Sequence, residues 1–173
     1  MWVKNKQNGF TIVELLIVIV VIGILAAITI VAYNGVQSRA QTTKISNDLN
    51  SLNRAIIAAK SATGKTLFGI TGSSWSGGPC LNKPSGTDLS TFVNTSDTCW
   101  TQYVAALNSI NTASGSSLNP NALLDPWGRP YYIDENEETA GCNRDKLAAY
   151  SRPFITNSEA STIGNVFVPL STC

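Results

Sequence analysis

The chain contains no histidine among its 173 residues, and this absence removes several chemistries at once. Ser-His-Asp and Cys-His catalysis both need an imidazole base, and many metal sites need imidazole ligands. The sequence also has no Gly-rich phosphate-binding loop and no recognisable nucleophile motif. These absences disfavour an enzyme.

Charge is missing from one long stretch and proline from a longer one. No charged residue occurs between Leu15 and Ser38, and no proline between Phe10 and Gly78. A helix that crosses a membrane needs about 20 mostly apolar residues, so the sequence predicts a membrane-spanning helix. The alternative is an ordinary cleaved signal peptide, whose apolar region runs only about 7–15 residues to a small-x-small site that does not follow promptly here.

The residues in front of this apolar run form a distinctive pattern. A short basic leader ends at Gly9, and Phe10-Thr-Ile-Val-Glu14 follows it. This pattern resembles the class III signal of type IV pilins and type II secretion pseudopilins. In that family a prepilin peptidase cuts after the glycine, and the new terminal residue is N-methylated. The resemblance implies cleavage between Gly9 and Phe10 and methylation of Phe10.

Glu14 is the single acid at the start of the apolar run. A carboxylate in a membrane helix is costly and is a functional residue by default. The mature chain is expected to offer it no local side-chain partner, because the nearest basic residue is Lys6 in the leader. The resemblance implies that it pairs with the Phe10 amine of a neighbouring subunit during assembly. The alternative is a tolerated acid that suits the positive helix N-terminus.

Beyond the span, apolar residues recur at the spacing of one helical stripe. The residues are Ile45, Leu49, Leu52, Ile56 and Ala59. They predict one continuous helix over residues 10–62, with an amphipathic outer half packed on a head and with Gly64 as its stop.

The rest of the chain predicts a small head. A Gly- and Ser-rich connecting loop over residues 69–86 is expected to pack little, with Trp75 as its anchor on the head. A second helix, capped by Ser96 or Asp97, carries an apolar face made of Trp100, Tyr103, Val104, Leu107 and Ile110. Short strands are predicted at 131–133, 147–151 and 165–170.

The predicted fold class is therefore α+β. A long N-terminal helix packs on a small antiparallel β-sheet head, which is the type IV pilin fold that the resemblance implies. The predicted divisions are a leader over residues 1–9, a transmembrane and assembly helix over 10–38, and an extracytoplasmic head over 39–173. This head includes the amphipathic half of the helix, residues 39–62.

A second resemblance lies far from the first. Asp125-Pro-Trp-Gly-Arg-Pro-Tyr131 is similar to a segment of the major pseudopilins of type II secretion, and it also occurs in some pilins. Its two prolines and its glycine predict a rigid turn, in which the tryptophan can be buried against the core.

The four cysteines contain no C-x-x-C pair, which disfavours a zinc site. In an exported head they indicate two disulfides, for which three connectivities are possible. The preferred pairing is Cys80–Cys99 with Cys142–Cys173. The second bond resembles the C-terminal loop disulfide of many type IV pilins, an arrangement that major pseudopilins generally lack.

An acidic cluster follows the first predicted strand: Asp134, Glu135, Glu137 and Glu138. Oxygen ligands at close spacing suit calcium, and the pseudopilins that carry the Asp-Pro-Trp-Gly segment bind calcium in the sheet region after it. No Asp-x-Asp-x-Asp loop is present, and a solvated hairpin tip is the alternative. Otherwise no cofactor is expected.

Three functions are compatible with these features. The first is a structural subunit of a type IV pilus-like filament, anchored by one membrane pass before assembly and located in a surface or periplasmic filament afterwards. The resemblance implies as partners other copies of the chain, a prepilin peptidase, assembly machinery and membrane lipid. The second function is a pseudopilin of a secretion or DNA-uptake system, and the third a membrane-anchored binding domain. No clear nucleic-acid site is found, since the net charge of residues 65–173 is negative.

Overall fold

The computed structural model describes residues 11–73, 75–135, 145–154 and 162–168. Its helices are α1 (Ile12–Thr63), α2 (Leu67–Thr71), α3 (Gly78–Leu81) and α4 (Thr98–Ser114), with a 3-10 turn at Leu89–Phe92. Its strands are β1 (Tyr132–Asp134), β2 (Lys146–Tyr150) and β3 (Thr162–Phe167). In the described part of the chain the strands form one antiparallel sheet in the order β1-β2-β3. The predicted α+β class is confirmed.

The long N-terminal helix is continuous, as predicted. α1 runs for 52 residues, and Gly64 ends it in the left-handed conformation, with φ of 66°. The Gly64 amide donates to the carbonyl of Lys60 at 2.8 Å. Glycine adopts this conformation without a Cβ penalty, which is why it ends helices so often.

The chain divides into two units, residues 1–40 and 41–173. In the first unit, every described side chain between residues 11 and 40 is exposed. By length and composition alone, α1 could cross a membrane. The first side chain to be buried is Ile45, in the second unit.

The core of the second unit is built on the predicted stripe. Leu49, Leu52 and Ile56 are fully buried, and they belong to one cluster with residues of α4 and of the sheet. The helix predicted from the spacing of Trp100 to Ile110 is confirmed as α4. Asp97 caps it, because its carboxylate accepts a hydrogen bond from the Cys99 amide at 2.8 Å.

The strand positions differ from the predicted ones, most of all for β3. This strand begins at Thr162, three residues before the predicted start at Asn165. The start of this strand is hard to recognise in the sequence because a β-bulge interrupts the alternation of side chains. In the bulge, Gly164 and Asn165 together lie opposite the single residue Ala148. Gly164 has φ of 69°, and a Cβ there would come within 3.0 Å of Ile45. The end of the predicted strand, residues 169–170, lies outside the described residues.

The prediction that the Gly- and Ser-rich segment packs little is wrong. α3 lies within it, and Gly78, Cys80 and Leu81 are buried. A second core cluster forms there, in which Cys80 and Leu81 pack with residues of β1 and β2, Tyr132 and Tyr150 among them. A helix of four residues is too short to show a periodic pattern in the sequence.

Candidate assembly helix and head sites

Glu14 lies in the first turn of α1 and is hydrogen-bonded to Thr11. The Thr11 amide and hydroxyl donate to Glu14 Oε2 at 2.8 and 2.7 Å. In return, the Glu14 amide donates to Thr11 Oγ1 at 3.2 Å. These reciprocal bonds form a capping box, in which the side chains of the N-cap residue and of the third helical residue each accept a hydrogen bond from the backbone amide of the other.

The expectation that Glu14 has no local side-chain partner is therefore wrong. The partner is not a basic residue but the hydroxyl of Thr11, three residues earlier, which suffices to cap the helix. Thr11 carries no charge, so pairing between Glu14 and an amine stays a prediction. Gly9 and Phe10 lie outside the described residues, and their cleavage and methylation stay predictions as well.

The inner half of α1, which precedes residue 39, has an apolar surface on all sides from Ile12 to Ile30. Its large aliphatic side chains from Ile12 to Ile30 are each about half exposed or more. Thr29, a polar residue within it, donates its hydroxyl to the carbonyls of Leu25 and Ala26 at 3.0 and 2.9 Å. Because its polar groups are hydrogen-bonded within the helix, such a helix is stable in lipid or against the side of another helix.

The disulfide Cys80–Cys99 is confirmed, with an S–S distance of 2.01 Å. It joins α3 to the first turn of α4, and both cysteines are buried. Cys142 and Cys173 lie outside the described residues, so their pairing stays a prediction.

The turn predicted at Asp125–Tyr131 is confirmed, and its rigidity comes from a buried ion pair as well as from the prolines. Asp125 Oδ1 accepts hydrogen bonds from the amides of Trp127 and Arg129, both at 2.9 Å. Arg129 Nε donates to Asp125 Oδ2 at 2.7 Å. Both side chains of the pair are nearly inaccessible to solvent, whereas Trp127 is only partly buried.

Two polar contacts, which sequence reasoning missed, tie the outer half of α1 to the sheet. Lys60 Nζ lies 2.9 Å from Asp145 Oδ2 in a buried ion pair. The Tyr131 hydroxyl donates to Asp48 Oδ2 at 2.7 Å. Each pair spans more than 80 residues of sequence, and no local pattern signals such a distant partner.

The predicted anchor Trp75 is confirmed in position. Its indole Nε1 donates to the Tyr132 hydroxyl at 2.8 Å. The Tyr132 hydroxyl in turn donates to Asp134 Oδ2 at 3.0 Å. The segment that carries Trp75 is thereby held against β1.

Asp134 and Glu135, two members of the predicted calcium cluster, are buried. Glu135 accepts hydrogen bonds from the amide and the hydroxyl of Ser76, at 2.8 and 2.5 Å. Burial raises the pKa of Glu135 to about 7, although the bonds from Ser76 oppose that rise. Glu137 and Glu138 lie outside the described residues.

No group of three potential metal-ligating side chains occurs in the part of the chain that the structure describes. Since half of the acidic cluster falls outside that part, calcium binding by Asp134, Glu135, Glu137 and Glu138 stays a prediction.

Comparison with known proteins gives one family model and several relatives. Residues 4–30 match the family described as the prokaryotic N-terminal methylation motif. The chain is 39% identical to the type IV major alpha-pilin of Moraxella bovis over 101 residues, 52% of this chain and 64% of that protein. It is 30% identical to a fimbrial protein of Neisseria meningitidis over 118 residues, 68% of this chain and 61% of that protein. It is 37% identical to a type IV major fimbrial protein of Dichelobacter nodosus, over 40% of this chain and 47% of that protein.

The chain thus spans between about half and two thirds of the length of these three relatives. No solved structure matches it significantly. The relatives are named as pilins and fimbrial proteins.

Proposed function

We propose that the chain is a structural subunit of a type IV pilus-like filament, because it matches the N-terminal methylation motif, is similar to type IV pilins and has a long N-terminal helix followed by a small antiparallel sheet. In this proposal the inner half of α1 holds the subunit in the membrane before assembly. The same half packs against the helices of other copies in the filament, while the head forms the filament surface. The chain itself is not an enzyme in this proposal.

The contrast between the two halves of α1 carries the proposal. In residues 41–63 one stripe is buried in the head, with Leu49, Leu52 and Ile56 fully covered. Between residues 11 and 40 every described side chain is exposed, although most are aliphatic. An apolar helix of that length is stable only where lipid or other apolar helices cover it.

The proposed partners follow from the same features. A prepilin peptidase cuts after Gly9 and thereby exposes the Phe10 amine, which is then methylated. Glu14 of one copy pairs with the amine of another, so that uncut precursor is kept out of filaments. Assembly machinery brings the subunits together, and the filament lies at the cell surface or in the periplasm.

The alternative is a pseudopilin of a type II secretion or DNA-uptake system. The turn at Asp125–Tyr131 favours it, because the residues of this turn are similar to those of major pseudopilins. Against it, the relatives are named as pilins and fimbrial proteins rather than secretion proteins. A membrane-anchored binding domain is the third alternative, and the names of the relatives do not favour it.

Processing is the first test of the proposal. Intact-mass measurement of the protein from its native host should give a chain that begins at a methylated Phe10. Gly9→Ala should be cut slowly and should accumulate as precursor in the membrane. A mature chain that begins at Met1, or beyond Ala32, would contradict the proposal.

Filament imaging separates the two leading functions. Cells that express the chain should carry long surface filaments that disappear when its gene is deleted and return on complementation. Loss of secretion or DNA uptake, without any loss of surface filaments, would favour the pseudopilin.

A further inference from the structure

A cleft of about 330 Å³ opens on the head. The segment before the 3-10 turn, the Asp125–Arg129 turn and the residues after β2 form its walls. The side chains that matter for its chemistry are Asp88, Trp127, Arg129 and Arg152. Its volume lies at the lower end of the range for small-ligand sites, about 300–1,000 Å³.

Arg129 is buried and lines one side of the cleft. Some N–H donors of its guanidinium are not used in hydrogen bonds within the protein. Its guanidinium donates to Asp125 through Nε, to the Ser151 carbonyl through Nη1 at 2.9 Å and to the Tyr150 carbonyl through Nη2 at 2.6 Å. A guanidinium has five N–H donors, so two remain beyond these three bonds. The three bonds fix the plane of the guanidinium.

Arg152 provides a second guanidinium at the same cleft. It is exposed, and its Cζ lies 5.4 Å from the centre of the Trp127 ring, while Cζ of Arg129 lies 4.9 Å from it. Both distances fall within the range of cation–π attraction. The Arg152 guanidinium makes no hydrogen bond or ion pair with the described residues, so its donors are available to a ligand.

Asp88 is the acceptor of the cleft. Its Oδ1 accepts from the amide and the hydroxyl of Ser90 at 3.0 and 2.7 Å, whereas its Oδ2 accepts no hydrogen bond from the described residues. The bonds from Ser90, assisted by the charges of Arg129 and Arg152, lower the pKa of Asp88. It is therefore an anion at neutral pH, with one oxygen open to a hydroxyl donor.

This combination selects a ligand with a carboxylate and several hydroxyl groups. A simple anion would be repelled by Asp88, and a neutral sugar would leave the Arg152 charge unpaired. We propose that the cleft binds a hexuronate unit of an acidic glycan. Its carboxylate lies against Arg152 and the remaining donors of Arg129, and its hydroxyls donate to Asp88. Trp127 holds the two guanidinium groups in place.

Titration of the full-length chain in detergent micelles tests the ligand. Glucuronate should bind saturably, with a dissociation constant on the order of 1 mM for a single sugar. Glucose and the methyl ester of glucuronate, which lack the charge, should bind at least about tenfold more weakly, a factor that corresponds to one charge-assisted bond. Equal binding of glucose and glucuronate, or no saturation with glucuronate, would overturn the proposal.

Two exposed residues test the site without disturbing the core. Arg152→Gln should weaken glucuronate binding about tenfold, whereas Arg54→Gln, which removes an exposed arginine on α1, should leave it unchanged. Asp88→Asn should weaken glucuronate binding but strengthen binding of inorganic phosphate, because the repulsion is removed. Tighter glucuronate binding by Asp88→Asn, or no effect of Arg152→Gln, would show that the cleft is not a uronate site.

Discussion

At the residue scale, Glu14 has two properties that substitutions can separate. Its carboxylate accepts the hydrogen bonds of Thr11 and caps α1. It also carries the one formal charge between residues 11 and 38. The cap needs only an acceptor oxygen, while pairing with the amine of a neighbouring subunit needs the charge.

Glu14→Gln should therefore reduce filament yield much more than Thr11→Val does. Glutamine keeps an acceptor for the cap, whereas valine removes the hydroxyl at nearly constant volume and costs about 1 kcal/mol of helix stability. Both proteins should still be cut to a Phe10 terminus, as measured by mass, before sheared filaments are counted. Equal filament loss in the two variants would mean that the cap, and not the charge, is what assembly requires.

Glu135 is the second residue whose environment has a measurable consequence. Its pKa is raised from the usual 4.5 to about 7 in the folded head. Since the folded state binds the proton of Glu135 more tightly than the unfolded state does, protonation of this group adds to the free energy of unfolding. That contribution is complete below pH 4.5 and is lost as the pH rises to about 7. The amide and the hydroxyl of Ser76 donate to this carboxylate and favour its ionised form, so the loss comes from the burial of the charge and not from weaker bonds to Ser76.

The free energy of unfolding should accordingly fall between pH 4.5 and 7, by on the order of 3 kcal/mol for this group. Glu135→Gln cannot titrate and should remove that part of the slope. Urea unfolding of the two proteins at several pH values measures the difference. Parallel pH profiles would show that Glu135 ionises normally in the folded state.

At the scale of elements, α1 is joined to the sheet by polar contacts as well as by its apolar stripe. The Lys60–Asp145 pair is buried, whereas the Lys44–Asp48 pair on the same helix is partly exposed, with Lys44 at 42%. Removal of one partner takes a counter-charge away from the other, at a cost that depends on how far water is excluded.

Lys60→Met should therefore destabilise the head by about 3 kcal/mol. Lys44→Met is the matched control, with the same change on the same helix, and should cost about 0.5 kcal/mol or less. Thermal or urea unfolding distinguishes the two. Similar losses in both variants would indicate that the Lys60–Asp145 pair contributes no more than a surface pair.

The elements differ in how far the sequence predicts them. α1 and α4 follow from helical periodicity, because each presents a single apolar face to one core. β3 is misplaced because a bulge at Gly164 interrupts the alternation on which strand prediction depends. The Cys80–Cys99 bond belongs to the preferred pairing among the three possible connectivities, and it is confirmed. The Glu14 cap follows a local Thr-x-x-Glu pattern that is visible in the sequence. The Lys60–Asp145 and Asp48–Tyr131 contacts could not be predicted, because only folding brings residues so far apart in sequence together.

At the scale of the whole molecule, all buried side chains of the described residues belong to the second unit. The earliest of them in the chain is Ile45. The first unit, residues 1–40, contains no buried side chain among those described. The folding information of the head is therefore contained in residues 41–173.

A fragment of residues 41–173 should fold in water without detergent. Its circular dichroism should show helix and strand, and it should unfold cooperatively on heating. A shorter fragment that begins at Lys65 is the control. It loses Leu49, Leu52 and Ile56 and should remain unfolded, because these side chains fill the core. Failure of the longer fragment to fold, in buffers that preserve the disulfide, would contradict the expectation.

The contacts of the buried stripe have a consequence for the timing of folding. Lys60 and Asp145 are 85 residues apart, and Asp48 and Tyr131 are 83 apart. At roughly 5–20 residues per second, ribosomal synthesis of the intervening chain takes about 4–17 s. Until then, the stripe on α1 lacks its sheet partners, while neighbouring chains display the same stripe. Mispairing between nascent copies is therefore most probable in this interval, and in the proposed pilin the export step would meet an incomplete head rather than a finished one.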